Sequence, residues 1–437
     1  MKISYLSSSP LDKKVANAVH VMHMSSSFAK NNHELYLHAK CNGKDNSIFY
    51  EEYGVESNFK IVCTPMLNIK FFGAFSYGFV QALKARFIIK PDVCYSRCLI
   101  SAFFAMKFGM KSIVEIHEMP HSKFLKWLYN SILRNENLLR VIVISDGLKI
   151  DLLHEYNVKN ILVAHDGASI PEIKTPFVLQ NNKKINIGYA GGLRDGNGVK
   201  LILDLAKELQ NFQFHIVGGN SDEITKWQDY QHSDNIQWYG KVEPSKVSAF
   251  LQKCDILLAP YQIGPKTASG RDTARWMSPL KIFEYMASGK AMIVSRFEVL
   301  EEVLNDENSI LVEADNFLEW KSALEKLATN NKYRETIGKN AYKILSEKYT
   351  IQFSELLKLV SSSIEPKTLL NIFTIGAKAR LNDNELPLLP HKLHLQVRSS
   401  QGFSVCSNPN CPDSKIKGLG KIHHGTFYNC TTCQSPT

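Results

Sequence analysis

The chain has 437 residues, too many for one hydrophobic core and enough for two or three domains at roughly 100–200 residues each. Hydrophobic residues make up 44% and charged residues 22%, which excludes a disordered or fibrous chain. The net charge of +10 suits either an anionic partner (a phosphorylated substrate, anionic lipid or nucleic acid) or a plain solvated basic surface.

In chain order, the opening MKISYLSSSPLDKK lacks the apolar run of a signal peptide, which predicts a cytoplasmic protein. Short β-rich runs follow at Ile3–Leu6, Glu34–His38, Lys60–Val62, Asp92–Tyr95, Ser112–Ile116, Val141–Ile144 and Ile161–Ala164. Amphipathic stretches such as Val19–Lys30 and Asp146–Glu155 lie between them, long enough for crossover helices. Strand–helix alternation of this kind predicts a parallel sheet covered on both faces. The apolar run Leu99–Met106, bracketed by Arg97 and Lys107, is far short of the ~20 residues that span a bilayer.

The rhythm pauses over the polar stretch Pro171–Lys184 and restarts with strands predicted at Ile185–Ala190, Gln213–Val217, Asp255–Ala259, Ala291–Val294 and Ser309–Val312. A helical stretch continues to about Ser363, and after Pro366 the α/β pattern stops. The expected domains are therefore residues 1–178, residues 179–363 and a tail, 364–437. Cys41, Cys63, Cys94, Cys98 and Cys254 are scattered singly, as expected of reduced thiols. Cys406, Cys411, Cys430 and Cys433 crowd into the tail as C-x4-C and C-x2-C pairs, a spacing suited to four-thiolate zinc, with His423 or His424 as alternative ligands.

Three places can carry chemistry. In SPLKIFEYMASGK, Ser278 suits a helix N-cap, Pro279 the first helical position and Gly289 the stop. Free N–H groups and a partial positive charge make that helix start a seat for phosphate, with Arg271, Arg275 and Lys281 around it. Glu284 lies one turn in among Ile282, Phe283, Tyr285 and Met286, where a carboxylate is costly unless it is paired or meets a ligand. In YAGGLRDGNGVKLIL a strand runs into a glycine turn at Gly191 and Gly192, and HIVGG supplies a second at Gly218 and Gly219. Neither has the GxGxxG dinucleotide spacing. In SIVEIHEMPH, His117 stands at the carboxyl end of a strand, the end that lines the ligand crevice of open α/β sheets.

Together, YAGGL, FHIVGG, DILLAPY and RWMSPLKIFEYMASGK, with IVEIHE and VAHDG earlier in the chain, resemble glycosyltransferase family 4 over about residues 1–350. The resemblance implies the GT-B fold: two Rossmann-like α/β domains facing a cleft, an acceptor-side domain followed by a nucleotide-sugar-binding one. It implies sugar transfer with retention from a UDP- or GDP-sugar to a lipid-linked or cell-surface saccharide, with no metal required. Glu284 would hold the donor ribose, the backbone of Ser278, Pro279 and Leu280 would meet the diphosphate, and His117 would lie beside the transferred sugar. Gly191, Gly192, Gly218 and Gly219 would line the donor, with Arg194, Arg275 or Lys281 as its cations. The sequence departs from the family at Trp276, where a first glutamate is usual, and at Gly192 and Asn197, where Arg and Lys are usual. A catalytically degenerate nucleotide-sugar or nucleic-acid binder is the alternative. The basic, aromatic stretches Met66–Lys90 and Met119–Arg140 suit peripheral contact with an anionic membrane at the inner face of the plasma membrane. The segment PLLPHKLHLQVRSSQGFSVCSNPNC is similar to a cysteine-bearing region of bacterial DEAD/DEAH-type helicases, but with no G-x4-G-K-[ST] phosphate loop in the chain helicase activity is not implied; the metal-like tail favours the nucleic-acid alternative, although nucleic acid is not the expected partner.

Overall fold

Seven strands, β1 (Lys2–Pro10), β2 (Glu34–Lys40), β3 (Lys60–Cys63), β4 (Val93–Ser96), β5 (Ser112–Ile116), β6 (Leu138–Val143) and β7 (Ile161–Val163), form a parallel sheet in the order β3-β2-β1-β4-β5-β6-β7. A second parallel sheet follows, built from β8 (Ile185–Ala190), β9 (Phe212–Val217), β10 (Ile236–Gly240), β11 (Ile256–Ala259), β12 (Ala291–Ser295) and β13 (Ile310–Val312) in the order β10-β9-β8-β11-β12-β13. These come from a computed structural model that describes residues 1–41, 46–64, 73–170, 176–180, 185–230, 233–262, 274–349, 404–405 and 422–423.

The helices of the first half are α1 (Ala16–Lys30), α2 (Ser47–Tyr53), α3 (Gly73–Leu83), α4 (Leu99–Lys107), α5 (Lys123–Leu133) and α6 (Asp146–Glu155). Those of the second are α7 (Val199–Glu208), α8 (Ser221–Tyr230), α9 (Pro244–Lys253), α10 (Leu280–Ser288), α11 (Glu298–Glu301), α12 (Phe317–Thr329) and α13 (Asn331–Ile344). Both sheets have the doubly wound, Rossmann-like order, so each strand sequence reverses once: between β1 and β4, and between β8 and β11. Ligands of open α/β sheets settle outside the carboxyl ends of the strands at that reversal.

Strand β11 shows why its sequence reads as an unbroken apolar run. Ile256 and Leu258 enter the core beside Trp320 and Ile202, while Leu257 and Ala259 enter the one beside Phe283 and Met286. Side chains alternate across a strand, so a sheet with two covered faces asks for apolar residues at every position. Edge strand β10 was not among the expected strands. All five of its residues, IQWYG, are only half-buried, so no continuous apolar run marks it.

Cys41 and Cys63 correct the expectation of isolated reduced thiols: they form a disulfide, with Cα atoms 5.3 Å apart. Ala39 and Cys63 are register partners across β2 and β3, which brings Cys41, two residues on, within reach of Cys63. Cys94, Cys98 and Cys254 are free. The chain divides into two compact units, Met1–Phe353 and Ser354–Thr437. In the second, Ser404–Val405 and Ile422–His423 pair as short antiparallel strands. Among the described residues no helix is long and apolar enough to cross a membrane.

Candidate active site

The reversal point of the first sheet holds a buried ionic cluster. Glu115, inside β5 and 3% exposed, points one carboxylate oxygen at two imidazoles and a guanidinium. Oε1 pairs with His117 Nε2, lies 3.4 Å from His20 Nε2 and lies 3.6 Å from Arg97 Nη1. Oε2 accepts the Tyr95 hydroxyl at 2.5 Å. His20, from α1, reaches Asp166 Oδ1 with Nδ1 at 3.1 Å and so bridges two carboxylates. Arg97 follows β4 directly, and its Nη2 lies 3.3 Å from His117 Nδ1.

The charges set one another. Burial pushes the Glu115 carboxyl up, but His20 and His117 pull it well below the usual carboxylate range. Burial and Arg97 push the His20 imidazole down, and Glu115 and Asp166 more than reverse this, so it is raised. For His117 burial and Arg97 outweigh the pull of Glu115 and Asp166, so it is lowered. The cluster thus drives its two imidazoles apart, raising His20 and lowering His117, which is 21% exposed.

The reversal point of the second sheet gathers the other expected residues. The glycine turn leaves β8 at Gly191, whose N–H donates to Val217 O at 2.9 Å. A Cβ on Gly191 would lie 2.7 Å from Lys281 Nζ, and one on Gly218, at φ +130°, would strike Gly191 O at 1.8 Å. These two glycines let both turns and the Lys281 side chain close on one spot. Lys281 Nζ sits 4.1 Å from the centre of the Tyr189 ring and 5.0 Å from that of Tyr261, which follows β11. Glu284, one turn into α10, is half-buried and has no hydrogen bond or ion pair among the described residues. Burial lowers Lys281 to about 7, opposed by Glu284, and raises Glu284 to about 7, opposed by Lys281. Gly192 and Arg194 are exposed on the same turn, and Gly219 follows Gly218 at φ +75°.

Two expectations about this helix need correcting. Pro279 is the N-cap, at φ −78° and ψ 121°, and Leu280 is the first helical residue. Ser278 is therefore not the cap; its hydroxyl accepts the Asp166 N–H at 2.9 Å instead. That bond joins the two halves: Asp166 holds His20 with its carboxylate and the approach to α10 with its backbone. Arg275 is not left free for a donor. Its guanidinium makes a two-pronged pair with Asp151 of α6 at 2.7 and 2.8 Å, and Trp276 Nε1–H donates to the same carboxylate at 2.7 Å. Ser145 donates to Trp276 O at 3.2 Å, and a Cβ on Gly147 would lie 2.5 Å from Arg275 O. Glu302 accepts the Asp146 and Gly147 N–H groups at 2.9 and 3.1 Å, closing the start of α6 from the second half. At Trp276, where the family resemblance leads one to expect a glutamate, this chain has a residue that anchors one half to the other.

Arg271 and Cys406, Cys411, Cys430 and Cys433 lie outside the described residues. Sequence reasoning missed His20, Arg97 and Asp166. The first lies in a helix away from any strand end, and the other two follow strand ends (YSR and VAHD) whose meeting only the sheet order reveals.

Residues 172–344 match the family described as glycosyl transferases group 1. They are a glycosyltransferase domain. TuaH of Bacillus subtilis (strain 168), a glycosyltransferase named for teichuronic acid biosynthesis, is 24% identical over 155 residues, 35% of this chain. That match spans only 37% of TuaH. The uncharacterized glycosyltransferase MJ1069 of Methanocaldococcus jannaschii is 24% identical over 282 residues, 58% of this chain and 69% of its own length. Among solved structures, Anabaena Alr3699/HepE in complex with UDP-glucose superposes with a TM-score of 0.62 at 12% identity, over 83% of this chain and 100% of that one. The fold of this chain is GT-B. Its domain includes the glycine turns, Lys281 and Glu284, while the ionic cluster lies in the half before it.

Proposed function

We propose that this glycosyltransferase moves a sugar from a UDP- or GDP-sugar to a saccharide or lipid-linked acceptor with retention at the anomeric carbon. The observation that carries this reading is the convergence, at the reversal point of the second sheet, of Lys281, the Gly191 turn and Glu284, which has no hydrogen bond or ion pair among the described residues. The start of α10 and Lys281 supply positive charge for a diphosphate, and Glu284 supplies an acceptor for ribose hydroxyls. His117, at the other reversal point, is the group available to the transferring sugar. In the step itself the bond from the anomeric carbon to the diphosphate oxygen breaks as the acceptor oxygen bonds to the same face. The acceptor hydroxyl proton passes to the departing diphosphate. Lys281 and the helix start are strongest where the leaving charge develops, so the reading needs no metal at the donor. The complex of the Anabaena neighbour with UDP-glucose makes uridine donors the first to test. Zinc at the tail cysteines remains a separate proposal on spacing alone.

The two near-neutral groups predict how donor affinity follows pH. A bound diphosphate favours the Lys281 ammonium, and ribose hydroxyls favour the Glu284 carboxylate. Above neutrality Lys281 must take up a proton on binding; below it Glu284 must release one. Calorimetric titration of UDP-glucose and a GDP-sugar should therefore show affinity greatest near neutral pH, falling on each side toward a limit of about tenfold per pH unit. Lys281→Met should weaken binding and flatten the alkaline limb. Affinity that is flat with pH, or an unchanged alkaline limb in Lys281→Met, would count against this donor seat.

A further inference from the structure

The carboxyl end of the first sheet carries a charge that the proposed donor seat does not use. Strand β2 ends at Lys40, the register partner of Pro10 at the end of β1, so Lys40 stands one strand from the reversal point. Its side chain is half-buried and lies across the Tyr77 ring, with Nζ 5.1 Å from the ring centre. Among the described residues it has no hydrogen bond and no acidic partner. Burial pushes its ammonium down, and Lys13, from the turn after β1, adds to that, while the free Cys98 sulfur opposes it. A cation held part-way out of water beside a second cation is costly until an anion answers it.

The surroundings hold this lysine in place. The chain just past it is fastened to β3 by the Cys41–Cys63 disulfide. The buried Tyr77 hydroxyl donates to Ser7 O at 2.8 Å. Gln81 Nε2 donates to the same carbonyl at 2.8 Å and to the Tyr77 oxygen at 2.7 Å, and Ser101 donates to Gln81 Oε1 at 2.7 Å. These bonds fix the ring under Lys40 against the end of β1. From the second half, Lys241 Nζ donates to Lys13 O at 2.6 Å and so steadies the turn that carries the Lys13 side chain.

We propose that Lys40 and Lys13 form a seat for a negatively charged group of the acceptor, a phosphate or a uronate carboxylate. The inference rests on the transferase reading above, in which Lys281 on the second sheet meets the donor diphosphate and an anion at β2 is left to the other substrate. Strand β2 lies three strands from β5, whose end carries His117, which is about 14 Å at the spacing of neighbouring strands. The charged group therefore sits on a unit of the acceptor removed from the hydroxyl that reacts. An ammonium is a point charge that suits phosphate and carboxylate alike, so the test separates the two.

The probe is pyridoxal 5′-phosphate, applied to the full chain, trapped with borohydride and located by peptide mass spectrometry. Its aldehyde condenses with a lysine amine, and its phosphate asks for a second cation close by, here Lys13. Lys40 should be labelled about tenfold faster than exposed Lys253, and about tenfold faster than pyridoxal without the phosphate labels it. Glucose 6-phosphate or glucuronate should shield Lys40 and glucose should not; the acid that shields at the lower concentration identifies the acceptor group. Lys13→Gln should weaken that shielding about fivefold at an unchanged unfolding midpoint. UDP-glucose should shield Lys281 and leave Lys40 open, so a failed donor seat shows at Lys281 and a failed acceptor seat at Lys40. Equal labelling by pyridoxal and its phosphate, no shielding by either acid, or glucose as effective as the acids would overturn the inference. So would UDP-glucose that shields Lys40 in step with Lys281, which would make Lys40 part of the donor seat.

Discussion

Glu115→Ala should lower the free energy of unfolding by about 3–5 kcal/mol, read as a fall in denaturant midpoint at unchanged slope. The reason lies in what stays behind. His20, His117 and Arg97 all meet the Glu115 carboxylate, and Tyr95 donates to it. Alanine leaves those groups buried with only Asp166 to answer them. The pH dependence has a defined sign. Glu115 is depressed, so its contribution is present above the unfolded carboxyl pKa and is lost as pH falls through the folded one. His20 is raised, so its contribution is present below the unfolded imidazole pKa and is lost as pH rises through the folded one. The gap between wild type and Glu115→Ala should thus be widest at mildly acidic to neutral pH and narrow in alkali. Glu115→Gln keeps the shape and the Tyr95 bond, so it should lose less, while the His20 imidazole titrates lower by NMR. A loss under about 1 kcal/mol for the alanine variant would mean that the cluster does not hold this sheet edge together.

Glu284→Ala should weaken nucleotide-sugar binding on the order of ten- to a hundredfold, the equivalent of a lost charge-assisted hydrogen bond worth roughly 1.5–3 kcal/mol. Removal of the carboxylate also takes away a charge that favours the Lys281 ammonium, which acts in the same direction. The apo protein should not suffer. Glu284 has no hydrogen bond or ion pair among the described residues, and burial already drives its carboxyl up to about 7, so its removal leaves stability level or raises it. Calorimetry with UDP-glucose and the unfolding midpoint without ligand together decide the matter. Intact affinity with a collapse in apo stability would make Glu284 a structural residue.

These two carboxylates differ in how far the sequence announced them. Glu284 was legible because its setting is local: the helix, its stop at Gly289 and the apolar neighbours lie within a dozen residues. The paired sheets were legible for a similar reason, since strands covered on both faces leave continuous apolar runs. The cluster around Glu115 was not. Its members come from α1, β4, β5 and the segment after β7, and they meet only because β1 and β4 are neighbours in the sheet. His117 was visible as a residue beyond a strand end, but its partner His20 sits in a helix that offers no motif. Arg275 misled in the opposite direction. Its place beside the helix start suggested phosphate, whereas Asp151, more than a hundred residues earlier, takes its guanidinium. Long-range pairing of this kind also hid the disulfide, which needed the register of β2 against β3.

The central claim is chemical, and it is tested most directly by donor turnover without acceptor. Wild-type protein incubated with UDP-glucose, then with other UDP-, GDP- and ADP-sugars, should slowly release the nucleoside diphosphate from at least one of them. His117→Ala should cut that release by about a hundredfold or more while donor affinity stays close to wild type, as expected for a group that meets the sugar and not the nucleotide. Its stability should fall less than that of Glu115→Ala, because Glu115 keeps His20 and Arg97. Donor binding with no release from any nucleotide sugar, or release undiminished in His117→Ala, would contradict the account and leave a binding protein in place of a transferase.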